Sequence, residues 1–139
     1  MIAVDTNILA RFYVNDPNDP EAERQRLLAR QVMAESPSIF VPLTVILEME
    51  WVLRAFYGFE RNAFAGVVRH LLGLPHVVVE HWERIADAIE WHLRGLDFAD
   101  ALHLAASNHC ENLVSFDDRR FDRRARKLQL QPPVVVPTE

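Results

Sequence analysis

Four carboxylates stand where this chain's local pattern changes, and their spacing is the first chemical signal. Asp5 follows Met-Ile-Ala-Val directly, at the carboxyl end of the first β-rich run. Asp100 lies in Gly95-Leu-Asp-Phe-Ala-Asp100, which opens a helical stretch, and Asp117 follows Ser115-Phe after a later apolar run. Glu48 sits inside Leu43–Tyr57 with Thr44, Val45, Trp51, Val52 and Ala55 at helical spacings, a mainly apolar stripe. Its neighbour Glu50 has Arg54 four residues on, the favourable order for a surface pair. A carboxylate on a core-facing stripe is costly unless something binds it, so Glu48 rather than Glu50 is the functional candidate. Each acid has a structural role available. Asp5 and Asp97 suit helix N-caps, and Asp100 suits a first helical turn. Gathered together, however, four carboxylates repel and raise one another's pKa unless a cation holds them. Mg²⁺ takes such oxygen donors and keeps several waters. The chemistry is then hydrolysis of a phosphodiester, with one ion, or two about 3.5–4 Å apart, activating water.

The elements that must position these acids are short. Ile2–Val4, Ser38–Val41, His76–Val79, Asn112–Phe116 and Val134–Val136 read as strands, continuous apolar runs suited to burial on both faces. Between them, helical spacing predicts Glu21–Glu35, Leu43–Tyr57, Glu60–Leu72, Glu83–Arg94, Phe98–Cys110 and Asp118–Leu128. Asp16–Pro20, Gly73–Pro75 and Gln131–Pro133 are breakers. Alternating strands and helices define an α/β chain: a five-stranded parallel sheet flanked by helices on both faces. Ligands of open parallel sheets sit beyond the carboxyl ends of the strands, which is where the acids fall.

Composition bounds the rest. The 139 residues suit a single domain over 1–139, with half of them hydrophobic and a quarter charged. No apolar run approaches the ~20 residues of a membrane span, and the opening MIAVDTN lacks a secretory pattern, so a soluble cytoplasmic protein is expected. The lone Cys110 excludes a disulfide framework and a cysteine zinc cluster, and reads as a small buried residue. Net charge is −5, yet Arg119–Lys127 holds six basic residues and one aspartate, a local +5 that leaves −10 elsewhere. Fourteen of the fifteen basic residues are arginines, whose planar forks suit phosphate. Arg119, Arg120 and Arg123 are the phosphate-contact candidates; the same run also suits a solvated helix face. Trp51, Trp82 and Trp91 read as core or interface residues. His103, one turn after Asp100, reads first as a core or capping residue.

Taken in order, Asp5-Thr6-Asn7, Val41-Pro-Leu-Thr-Val-Ile-Leu-Glu48 with Trp51-Val-Leu-Arg54, Asp97-Phe-Ala-Asp-Ala-Leu-His-Leu104 and Ser115-Phe-Asp117 resemble the PIN-domain nucleases. They are most similar to the VapC-type toxins of bacterial toxin–antitoxin pairs, and the resemblance runs over essentially the whole chain. It implies a five-stranded parallel sheet, Mg²⁺- or Mn²⁺-dependent ribonuclease activity, a homodimer, and inhibition by a cognate antitoxin protein. By motif position Asp5, Glu48, Asp100 and Asp117 correspond to the metal-binding acids. Asn7, Asp97 and Ser115 match polar positions beside them, Ser115 standing where many relatives carry Thr. Glu50, Asp97 and Asp118 leave three of the four assignments open by one helical step or one residue. A non-catalytic PIN-like module that binds RNA or protein is the alternative. A phosphotransferase with an Asp nucleophile needs a second Asp two residues after Asp5, where Asn7 stands.

Overall fold

The computed structural model describes residues 1–139, which form two compact units, Met1–Trp82 and Glu83–Glu139. The first unit opens with β1 (Ile2–Ala3), which gives way at Asp5 to α1 (Thr6–Tyr13). Asp19 caps α2 (Pro20–Glu35) by accepting from the Glu21 and Ala22 amides, with Pro20 at the first helical position and Glu21 and Glu23 in the first turn. Next come β2 (Ile39–Val41), α3 (Leu43–Trp51), a π-helical stretch over Val52–Phe56, α4 (Arg61–Gly73) and β3 (Val77–Val79). The three strands pair in parallel in the order β1-β2-β3, with Ile2 opposite Ile39 and Ile39 opposite Val77. Leu9, Ile39, Val41, Ile46, Met49, Leu53, Phe64, Val68 and Leu71 are buried in this unit. Tyr13 Oη and His70 Nδ1, 2.6 Å apart, tie α1 to α4, and burial pushes the Tyr13 hydroxyl well above its ordinary pKa.

The second unit holds α5 (Trp82–Leu93, from Glu83 onward), α6 (Phe98–Ala106), β4 (Leu113–Val114), a π-helical stretch over Asp118–Asp122, α7 (Arg123–Lys127) and β5 (Val134–Val135). β4 and β5 pair in parallel, Leu113 opposite Val134. Ile85, Ile89, Leu96, Phe98, Leu104, Phe121 and Val134 are buried here. The Asp122 carboxylate, 5% exposed, accepts on both oxygens from Arg126 Nη2 at 2.9 Å. Gly95 is required by its φ of +111°, which L side chains rarely adopt, and the Arg124 guanidinium packs over it, 3.0 Å from where a Cβ would stand.

All five expected strands exist and every pairing is parallel, but they do not form the expected five-stranded sheet. They form one sheet of three strands and one of two. The expectation assumed runs buried on both faces. Instead β1 and β4 are two residues long, with Ile2 45% and Val114 61% exposed. So short a strand offers few backbone groups to a second neighbour, and β1 and β4 each ladder on one side only.

Two helices also depart from the periodicity. Leu43–Tyr57 and Asp118–Leu128 each contain a π-helical turn, in which Tyr57 N–H bonds to the Val52 carbonyl and Asp122 N–H to the Asp117 carbonyl. Phe98–Cys110 ends early, at Ala106, and leaves Cys110 exposed rather than buried. Trp51 is 64% exposed and Trp82 is exposed too, so neither is a core residue; Trp91 is half-buried.

Candidate active site

In the first unit Asp5 is the N-cap of α1, its Oδ1 accepting from the Ile8 amide at 3.2 Å. The cap engages one carboxylate oxygen, and the residue remains exposed one position beyond buried Val4. Asn7 is exposed beside it. Both line an open cleft of about 560 Å³ together with Ile8, Arg11, Arg24 and Gln25.

Glu48 corrects the helical-phase argument. The buried stripe of its helix is Ile46, Met49 and Leu53, while Glu48 shares an exposed face with Thr44, Leu47, Trp51 and Ala55. The misreading came from counting Trp51 and Val45 as core because they are apolar. Glu48 makes no hydrogen bond or ion pair, so one free carboxylate stands on that face. Glu50 meets Arg54 Nη1 at 3.4 Å in the expected i, i+4 pair. The first turn of α3 has no cap of its own: Pro42 offers no side-chain acceptor, and the Leu43 amide donates instead to Glu80 Oε1 at 2.9 Å.

In the second unit two acids act on a third. Asp100 is the third residue of α6, half-buried, and its pKa is raised. Burial is the largest cause, the negative charge of Asp97 the next, and that of Asp117 adds to both; His103 opposes them. Asp97 occupies the N-cap position of α6 without a side-chain capping bond, which leaves its carboxylate facing outward and exposed. Asp117 caps the π-helical stretch through the Arg120 amide at 2.9 Å and the Phe121 amide at 3.4 Å, and its own amide donates to Ser115 Oγ at 3.0 Å. Asp118 starts that stretch, as expected of it. His103 is exposed rather than core, and its charge reaches Asp100.

The groups around Asp100 that raise its pKa are carboxylates, oxygen donors whose chemistry fits a hard divalent cation. No group of three or more His, Cys, Asp or Glu side chains stands close enough together to hold a metal ion as the side chains lie. The basic run divides by role. Arg126 is committed to Asp122, and Arg124 packs on Gly95, whereas Arg119, Arg120 and Arg123 are exposed and form no ion pair.

Sequence reasoning missed Glu80 and Arg11. Glu80 follows β3 directly, the same strand-end position that drew attention to Asp5. Arg11 is four residues after Asn7, one turn along the same face of α1. Either spacing was enough to find them.

Asp5 and Glu80 stand just past the carboxyl ends of β1 and β3, where ligands of open parallel sheets sit. The chain belongs to the PIN domain family, whose pattern matches residues 2–127. No curated protein matches it. Among solved structures it is similar to the crystal structure of Mycobacterium tuberculosis VapC20, described as a Sarcin-Ricin loop cleaving toxin. The identity is 22%, over 81% of this chain and 86% of that one, with a TM-score of 0.43. No helix is long and apolar enough to cross a membrane.

Proposed function

We propose that this PIN-family chain is a metal-dependent endoribonuclease that hydrolyses RNA phosphodiester bonds and serves as the toxin of a toxin–antitoxin pair. The observation that carries the reading is Asp100. Its carboxyl is half-buried and held above the ordinary carboxylate range by burial and by Asp97 and Asp117, within a family-matched stretch. A fold that half-buries Asp100 within the field of Asp97 and Asp117 disfavours its charged form, and a cation would relieve that repulsion.

In this reading Asp5, Glu48, Asp100 and Asp117 hold Mg²⁺ or Mn²⁺ within a single PIN-like domain over 1–139. A bound ion would supply a water of lowered pKa and charge neutralisation at the phosphodiester. The remaining chemistry belongs to the chain. Ser115 Oγ fixes the turn that presents Asp117, Asp97 sets the field at Asp100, and Asn7 offers an uncharged polar group beside Asp5. Arg119, Arg120 and Arg123 draw the RNA backbone toward acids that would otherwise repel it. A cytoplasmic homodimer silenced by a cognate antitoxin protein completes the proposal.

Cleavage of total RNA by the purified chain with Mg²⁺ or Mn²⁺, and with EDTA, tests it. Wild type is expected to cut only with metal, Asp100→Asn to be folded and inactive, and Glu50→Gln to retain activity. Metal-independent cutting, or full activity in Asp100→Asn, contradicts the assignment. A folded wild type that binds RNA and cuts none with either metal supports the binding-module alternative.

A further inference from the structure

We propose that the cleft between α1 and α2 in the first unit is a phosphate subsite, headed by Arg11, that takes a backbone phosphate of the RNA; this rests on the ribonuclease reading above. Arg11 is half-buried, and both of its partners are uncharged: Nε donates to Gln25 Oε1 at 2.9 Å and Nη1 to Tyr57 Oη at 3.3 Å. It forms no ion pair. A guanidinium has five N–H donors in a planar fork, and here two are used. The remaining donors belong to a cation whose hydrogen-bond partners are neutral and which has no carboxylate within ion-pair distance.

The neighbouring cation in the cleft is different. Arg24 is clamped on Glu21 through Nε at 3.1 Å and Nη2 at 2.7 Å, so its charge is already matched. Glu21 has its pKa lowered mainly by that Arg24 bond, with Arg11 contributing only a smaller long-range share. The free positive charge of the cleft is therefore Arg11. Asp5 and Asn7 line the same cleft, which places this charge on the cavity that also holds the first candidate metal acid. Holding a partly desolvated guanidinium on neutral acceptors is unfavourable until an anion arrives. A phosphodiester oxygen pair matches the fork in shape and charge. The cleft, about 560 Å³ and open, admits a chain rather than enclosing a small molecule.

The competing account makes Arg11 a strut tying α1 to α2 and to Tyr57. Gln25→Glu separates the two, because it keeps an acceptor for Arg11 Nε and matches that charge internally, while giving up the 3.2 Å bond from Gln25 Nε2 to Glu21 Oε1. The measurement is fluorescence anisotropy of a labelled single-stranded RNA oligonucleotide over a salt series, with Ca²⁺ as the divalent ion, and thermal denaturation in parallel. Gln25→Glu is expected to remain folded, bind RNA several-fold more weakly, and show a salt slope less steep by about one. Arg11→Gln should shift affinity and slope the same way, with Arg11→Lys recovering the slope but not the full affinity. Wild-type affinity and slope in a folded Gln25→Glu overturn the subsite and leave the strut. Stabilisation of wild type by inorganic phosphate without RNA binding marks a free-anion site and overturns the RNA assignment. Cleavage is scored separately: RNA that is bound through Arg11 but never cut removes the nuclease reading and keeps the subsite, whereas RNA that is cut normally by Gln25→Glu does the reverse.

Discussion

Asp100 carries two consequences of one electrostatic fact. Its carboxyl is raised because burial, Asp97 and Asp117 disfavour the charged form in the fold more than His103 favours it. Since the native value lies above the unfolded one, the stabilising contribution is complete below the unfolded pKa of about 3.9 and is lost as pH rises through the native value. At neutral pH the metal-free protein thus carries a destabilising charge. Asp100→Asn is expected to raise Tm in EDTA at neutral pH, with the gain shrinking toward zero as pH falls to about 4. Thermal melts of both proteins across that range check it, and a variant less stable than wild type at neutral pH contradicts it. Residue-scale reading from sequence was uneven. Asp5, Asp100 and Asp117 were visible because their positions follow apolar runs or open a helix. Glu48 was selected by a core-stripe argument that fails, since Trp51 is exposed. Hydropathy says which residues favour burial, but which face of a helix meets the core depends on neighbours the helix does not encode.

At the scale of elements, the breakers were the legible part. The breaker Asp16–Pro20 marked the stretch before α2 and Gly73-Leu-Pro75 the end of α4, because these signals are local, whereas the Asp19 cap was not read. The π-helical turns at Val52–Phe56 and Asp118–Asp122 were not legible: an apolar residue spaced for an α-helix remains compatible with one widened turn. The cap of α3 was equally hidden, since Glu80 reaches the Leu43 amide from 37 residues away in sequence. That bond is charge-assisted and satisfies an otherwise orphaned helix amide. Glu80→Ala is expected to destabilise the chain by about 1–3 kcal/mol. Urea denaturation measures this, and a loss within about 0.5 kcal/mol shows that water replaces the carboxylate at no cost.

On the scale of the molecule, the class of fold was legible and the grouping of strands was not. Five parallel strands alternating with helices follow from five apolar runs, and one family pattern spans residues 2–127. Division into sheets of three and two depends on which short backbone edges find partners, and side-chain pattern carries little of that for strands of two residues. The charge layout was legible outright: a +5 run within an otherwise acidic chain, with Arg119, Arg120 and Arg123 exposed and unpaired. The central claim is that the acids exist to hold a divalent cation, and a calorimetric titration of Mn²⁺ into the metal-free chain tests it most directly, with Asp100→Asn beside it. Saturable binding by wild type, weakened about tenfold or more in the folded variant, is the expected result. Identical binding by the two proteins, or none by a folded wild type, contradicts the account.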